Sequence, residues 1–452
     1  MADLLDDLRG STVLVCGARF AGQAATRALL GHAARVVLTD RVRPPGVDAL
    51  LGAGAEFAGE LEQLPGDVTL VVTSPGWPPS HPLFAEAAAR GVEVIGELEF
   101  AWRLRGPAAA DWLVVTGTNG KTTTVRMLES MLRAAGRRAL AVGNVGVSII
   151  DAVIDPEPYE VLSVEASSFQ LHWSSTIRPR AGVLLNLAPD HLDWHGSLAA
   201  YERAKTAVWA GAAAIGNLDD PRVVALLPAG AVEFTLSPPT AGQLGVVNGR
   251  LVSLAFGDDG LELCDAADVR PAGAHNVANA LAAAALARAA GADADAIADG
   301  LRAFVPDPHR NQPVLTREGV TWVDDSKATN PHAARASLTA YPHIVWIAGG
   351  QLKGVDVSDL VAEVAQRLRA AVLLGEDRAA VAAALARHAP EVPVIVVDST
   401  DDGAMTEVVS AAAGFARPGD TVLLAPAAAS YDMFTGYAAR GDAFAAAARG
   451  LA

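Results

Sequence analysis

Residues 115–123 read Val-Thr-Gly-Thr-Asn-Gly-Lys-Thr-Thr and follow the apolar run Trp112, Leu113, Val114. A strand that ends in a Gly-rich turn and is followed by a helix presents backbone N–H groups to a nucleotide phosphate. Gly117 and Gly120 let the backbone of Thr118 and Asn119 approach phosphate oxygens closely. Lys121 adds a point positive charge, and the Thr122 hydroxyl, with Thr123 beside it, can sit on Mg²⁺. Val115 stands where the strict P-loop has its first Gly, so the loop is a shortened variant. An ordinary strand-to-helix turn is the alternative, but a Lys followed by three Thr is an odd way to build one. The chain is expected to bind ATP.

Further candidates sit at other strand ends. Glu165 follows the apolar stretch 161–164, level with the phosphate loop in a parallel sheet, and can hold the metal that bridges nucleotide oxygens. The segment from Asp190 to His195 clusters carboxylates and imidazoles past a strand over 182–186, which suits Mg²⁺ or simple helix capping. Lys327, Thr329, Lys353 and Ser430 each follow a strand of the last third. Loops at the carboxyl ends of strands line the ligand crevice of an open α/β sheet, so these four form a cradle for a small, multiply anionic substrate. The turn from Gly17 to Gly22 resembles a dinucleotide fingerprint interrupted by Arg19. It fits either helix–strand packing or a nucleotide diphosphate, with Asp40 placed for a ribose or base edge.

The elements that must hold these residues alternate strand with helix: 12–16, 35–39 and 68–73, then 161–164 and 182–186, then 321–323, 344–348, 372–374, 394–397 and 422–424. A polar stretch at 216–260 reads as short strands, and a long Ala-rich helix begins near Asn276. Breaks at 105–107 and 304–309 divide the 452 residues into 1–106, 107–307 and 308–452. The expected fold is α/β with three domains: an N-terminal Rossmann-like unit, a central P-loop-type ATPase and a C-terminal Rossmann-like unit. The net charge of −16 argues against nucleic acid and anionic membranes. Two cysteines, an acidic N-terminus and the lack of a long apolar run lead to the expectation of a soluble cytoplasmic protein without disulfides.

Taken together, these motifs resemble the Mur ligase family. The segment 116–122 is similar to the family's ATP loop, which folylpolyglutamate synthases share. Residues 165–171 with Asp190 and His191 are similar to its second signature, 274–279 to its third and His309-Arg310 to its fourth. Asp325-Ser-Lys-Ala-Thr-Asn330 is similar to the segment of the D-glutamate-adding member, as are Ser74-Pro-Gly76, Gly143-Asn-Val-Gly146 and 437–441. Three positions depart from the pattern: Gln312 stands for an acid, Arg19 interrupts the glycines, and Ala428 lies where some members carry Cys.

The resemblance implies ATP-dependent addition of D-glutamate to UDP-N-acetylmuramoyl-L-alanine through an acyl phosphate, by a monomer with two Mg²⁺ sites. It implies that Lys121, Glu165, His191, Lys205 and Arg310 are catalytic, and that Asn276, Asn279, Arg310 and Asp325 serve the nucleotide beside the loop residues. Gly17, Arg19, Phe20, Asp40, Arg41, Ser74, Pro75, Gly76, Asn144, Ser167, Gln170 and His191 would hold the UDP substrate. Lys327, Thr329, Lys353, Ser430 and the Tyr437 backbone would grip D-glutamate. Thr122 and Glu165 would hold one metal, and His191 with Lys205 the second. A Lys cation cannot ligate Mg²⁺, so Lys205 would be carbamylated, which requires a neutral amine. An NAD-dependent dehydrogenase and a non-catalytic binding module are the alternatives from other classes; the first leaves the ATP loop without a role.

Overall fold

Among the described residues three β-sheets organise the chain, built largely from buried apolar strands that alternate with helices. The computed structural model describes residues 2–106, 109–399 and 403–451. In the first sheet, β1 (Thr12–Cys16), β2 (Arg35–Thr39), β3 (Glu56–Phe57), β4 (Val68–Thr73) and β5 (Glu93–Gly96) lie in the order β3-β2-β1-β4-β5, all parallel. Val13 and Val15 pack one face with Leu29 and Val72, while Leu14 and Cys16 pack the other with Val71 and Phe84. Burial on both faces is why β1 reads as an unbroken apolar run. The direction in which successive strands are added reverses between β1 and β4, so a crevice opens beyond Cys16 and Thr73.

The second sheet contains β6 (Asp111–Thr116), β7 (Ala139–Gly143), β8 (Val161–Glu165), β9 (Ala181–Leu184), β10 (Ala213–Asn217), β11 (Val232–Phe234), β12 (Gln243–Val247), β13 (Arg250–Ser253) and β14 (Leu261–Asp265). Its order is β14-β13-β12-β11-β10-β9-β6-β8-β7, with only β13 pairing antiparallel to its neighbours. The strand of the phosphate loop, β6, lies between β8 and β9: Val115 pairs with Glu165, and Thr116 with Leu184. The expected strand 182–186 stops at Leu184 because the chain turns there, sending the Asn186 side chain to the loop. Within 216–260 the strands are short as expected, although Pro221–Leu226 is helical, capped by Asp220. The Ala-rich helix runs Ala274–Ala289, and Ala280 to Ala287 are all buried, so its all-round apolar surface has partners.

The third sheet has the order β15-β16-β20-β17-β18-β19, from β15 (Gln312–Arg317), β16 (Val320–Asp324), β17 (Ile344–Gly349), β18 (Leu368–Leu374), β19 (Val394–Val396) and β20 (Thr421–Leu424). Only β15 is antiparallel. It was not foreseen because it contains Pro313, which an edge strand tolerates. Relative to expectation, β18 begins earlier, at Leu368, and β19 stops at Val396.

The described residues of 1–268 and 278–304 form one compact unit, and those of 269–277 and 305–452 form another. The division expected between 106 and 107 falls on Pro107, outside the described residues. Among the described residues no helix is long and apolar enough to cross a membrane.

Candidate active site

The phosphate loop is held from beneath by side chains. After β6, Gly117 to Gly120 turn into the helix Lys121–Ala134, whose N-cap Gly120 has φ 84°. A Cβ at Gly120 would overlap the Asn279 amide, so only glycine fits. Asn186 clamps the loop reciprocally: its Oδ1 accepts from Asn119 N–H at 2.8 Å and its Nδ2 donates to Asn119 O at 3.1 Å. The Thr118 hydroxyl meets Tyr201 Oη at 2.9 Å and accepts from Ala188 N–H at 2.9 Å. Lys121 Nζ donates to the carbonyls of Gly117 and Thr118 at 2.8 and 2.9 Å. Thr122 and Thr123 occupy the first turn of the helix.

Lys205 comes to the same place from the helix Leu198–Thr206. It is only 2% exposed, and its Nζ donates to Gly117 O at 2.8 Å, so both lysines share one carbonyl. Burial, and then the charge of Lys121, hold the Lys205 amine well below the ordinary lysine range. Lys205 is therefore a buried side chain and not a surface charge on its helix.

Glu165 ends β8 and is 2% exposed. Its Oε1 accepts from Asn144 Nδ2 at 2.9 Å, and the Asn144 N–H donates to Glu165 O at 2.9 Å. Its Oε2 is buried without a hydrogen-bond partner. A buried carboxylate oxygen so oriented fits a cation, and Mg²⁺ is usually held by one or two carboxylates with substrate phosphates and water. Among the described residues no three His, Cys, Asp or Glu gather as a protein-only cage. His191 is about half exposed, has φ 51° and sits 3.5 Å from Asp190 Oδ2. Its ring packs on Phe169 (4.7 Å), which continues through Trp194, His172, Trp173 and Phe84 to Trp77 as a run of touching rings. Ser167 and Gln170 form a capping box on the helix Ser168–His172, and the Gln170 amide donates to buried Glu97 at 3.2 Å. Both are thus engaged in local structure.

At the crevice of the first sheet, a Cβ on Gly17 (φ 97°) would overlap the Ser74 hydroxyl, which brings the two strand ends together. Asp40 Oδ2 accepts from Ala18 N–H at 2.8 Å and so shapes the turn. Arg19 caps the next helix without a side-chain bond, Phe20 is 59% exposed, and Arg41 pairs with Glu60 at 2.7 Å. Pro75 and Gly76 follow Ser74 in the loop beyond β4.

In the other unit, Asn276 is buried, Arg310 is half-buried, and Asp325 is enclosed. Asp325 accepts from Asn311 N–H at 3.0 Å and from the Ser337 hydroxyl, so its side chain is engaged internally. Burial raises its pKa to about 7. Its protonated form therefore favours the folded state, and that contribution is lost as pH rises from the unfolded value through about 7. In Asp325→Asn the amide keeps both partners. The variant should melt higher than the parent at pH 8, by an amount on the order of 3 kcal/mol, with the gap closing near pH 4. Thermal unfolding across pH measures it; a gap independent of pH would contradict the assignment.

The loops after β16, β20 and β17 are neighbours, and they carry Lys327 and Thr329, Ser430, and Lys353 respectively. Gln351 and Ala429 pair as an isolated bridge, and Ala427 N–H donates to Ala328 O at 3.0 Å. Lys327 Nζ donates to Tyr437 Oη at 2.8 Å and lies 4.0 Å from the ring centroid. The Tyr437 carbonyl accepts from Ser326 Oγ at 2.8 Å, and the Tyr437 hydroxyl meets a cradle cation. Lys353 is exposed, with φ 55°, and Ser430 is buried.

Sequence reasoning missed Asn186, Tyr201, Glu97 and Arg440. Asn186 carried a signal as the expected strand end beside the loop, and Arg440 as part of the 437–441 segment.

The sequence profile of the Mur ligase middle domain matches residues 115–287, and that of the Mur ligase glutamate ligase domain matches 309–428. A UDP-N-acetylmuramoylalanine–D-glutamate ligase from Thermobifida fusca is 55% identical over 99% of this chain and 100% of its own length. One from Streptomyces avermitilis is 54% identical over 98% of this chain and 99% of its own. The solved MurF ligase of Thermotoga maritima in complex with ADP shares the fold, with a TM-score of 0.58 at 18% identity over 99% of this chain and 98% of that one. Two matched domains and relatives aligned nearly end to end establish that this chain belongs to the Mur ligase family, ATP-dependent enzymes that form peptide bonds in peptidoglycan precursor synthesis.

Proposed function

We propose that this Mur ligase joins D-glutamate to UDP-N-acetylmuramoyl-L-alanine, and the names of its near-full-length relatives support that choice of substrates. The observation that carries the chemistry is Lys121 and Lys205 converging on the Gly117 carbonyl, beside the unpartnered Oε2 of Glu165. A carboxylate is a poor electrophile, so the alanyl carboxylate attacks the γ-phosphate of ATP, forming a C–O–P bond and releasing ADP. The amine of D-glutamate then attacks the acyl carbon, losing a proton, and phosphate leaves. Lys121 offsets charge on the transferred phosphoryl oxygens, and the Gly117–Gly120 backbone orients the nucleotide. Thr122 and Glu165 would hold one Mg²⁺, which would supply charge neutralisation when bound. His191 and Lys205 would hold a second, with Lys205 as a carbamate: CO₂ would add to the neutral Nζ, an N–C bond forming and a proton leaving.

Asn276, Asn279, Arg310 and Asp325 serve the nucleotide, although the internal bonds of Asp325 confine it to a supporting part. Gly17, Arg19, Phe20, Asp40, Arg41, Ser74, Pro75, Gly76 and Asn144 receive the UDP substrate, with Ser167 and Gln170 behind them. Lys327, Thr329, Lys353, Ser430 and Tyr437 take the amino diacid. The working divisions are 1–106, 107–307 and 308–452, in a cytoplasmic monomer.

Phosphate release with ATP, Mg²⁺ and UDP-N-acetylmuramoyl-L-alanine tests this reading, with D-glutamate, L-glutamate, L-alanine or a diamino acid added in turn. Sustained release is expected with D-glutamate alone. Equal response to L-alanine or to no amino acid would overturn it.

A further inference from the structure

Arg440 is 1% exposed, yet among the described residues no carboxylate forms an ion pair with it. It lies on the helix Tyr437–Arg449, one turn after Tyr437. Its Nε donates to Ser326 Oγ at 2.9 Å, Nη2 to Ser326 O at 3.0 Å and to Ala428 O at 3.1 Å, and Nη1 to Gly349 O at 3.3 Å. Ser326 Oγ passes the connection on to Tyr437 O at 2.8 Å. A Cβ at Gly350 would come within 3.2 Å of Nη1, so the loop after β17 closes tightly over the guanidinium. One planar group thus spans the loops after β16, β20 and β17 and the start of the last helix. Those four segments carry Lys327 and Thr329, Ser430, Lys353 and Tyr437.

We propose that Arg440 is the positioning residue of the amino-diacid cradle, fixing the mutual spacing of its cations and hydroxyls without touching the substrate. The inference rests on the amino-acid reading given above. Burying an arginine is costly, and here carbonyl dipoles rather than an acid satisfy it. A core residue serving stability alone would be apolar, whereas a rigid fork with five donors fixes several backbones at once. Lysine would keep the charge and lose the fork.

The experiment compares steady-state kinetics of the full-length parent, R440K and S326A, varying D-glutamate, ATP and UDP-N-acetylmuramoyl-L-alanine separately. R440K is expected to raise KM for D-glutamate about tenfold or more, with KM for the other two substrates within twofold. S326A removes one hydroxyl and should reproduce the split at smaller size, which keeps the proposal open to refutation if R440K does not fold. An unchanged KM for D-glutamate in either folded variant, or parallel loss across all three substrates, would overturn it. A parent that ignores D-glutamate would instead count against the substrate reading.

Discussion

Lys121→Met should lower kcat by about 10³-fold or more while the protein folds and still binds nucleotide, read by phosphate release beside thermal unfolding and ADP titration. The amine of Lys121 is held at the loop by the Gly117 and Thr118 carbonyls, so it is poised before nucleotide arrives. Methionine keeps the length and apolar stem of the side chain, and the bonds from Asn186 and Tyr201 still hold the loop when those of Lys121 are lost. What is lost is charge where charge develops, and such losses fall on kcat. A second effect follows. Because Lys121 helps to lower the basicity of Lys205, the variant should also shift that amine back toward protonation. Turnover within tenfold of the parent would remove Lys121 from the mechanism.

Lys205→Ala should lose about 10³-fold in activity and regain part of it when a short carboxylic acid such as acetate or propionate is added. Most buried lysines are pinned by an acid. This one is bonded to carbonyl and hydroxyl oxygens, and its burial and then the charge of Lys121 favour the neutral amine on which CO₂ acts. A small acid entering the space left by the side chain supplies the missing oxygen ligand. Lys205→Met, which fills that space, should not be rescued. Mass spectrometry of the parent in bicarbonate should find the mass of one CO₂ on the peptide carrying Lys205. A fully active protein with an unmodified ammonium there would refute the idea.

The phosphate loop, Glu165 and the strand-top lysines were legible because each pairs a reactive residue with the end of an apolar run, and parallel sheets put such ends at one edge. The all-parallel first sheet was legible for the same reason. The short strands β3, β5 and β7 were not, since two to five residues of mixed burial leave little periodicity. The engagement of Gln170, Asp325 and the Tyr437 carbonyl within the protein was equally invisible. Each depends on a partner far away in sequence: Glu97, Asn311 with Ser337, and Ser326. Arg440 entered the sequence reading only as part of the 437–441 segment, and the fold places it in the core. Family membership removes the dehydrogenase and binding-module alternatives, which sequence motifs alone had left standing.

The run of rings from Trp77 to His191 gives the molecule its own optical probe. Trp77 stands beside the Gly17 turn, and Trp194 beside Phe169 and His195 near the phosphate loop. Indole emission responds to the polarity and charge around it, so the binding proposed for the uridine substrate at one end and for ATP at the other can be tested in unlabelled protein, by the colour and intensity of its ultraviolet glow.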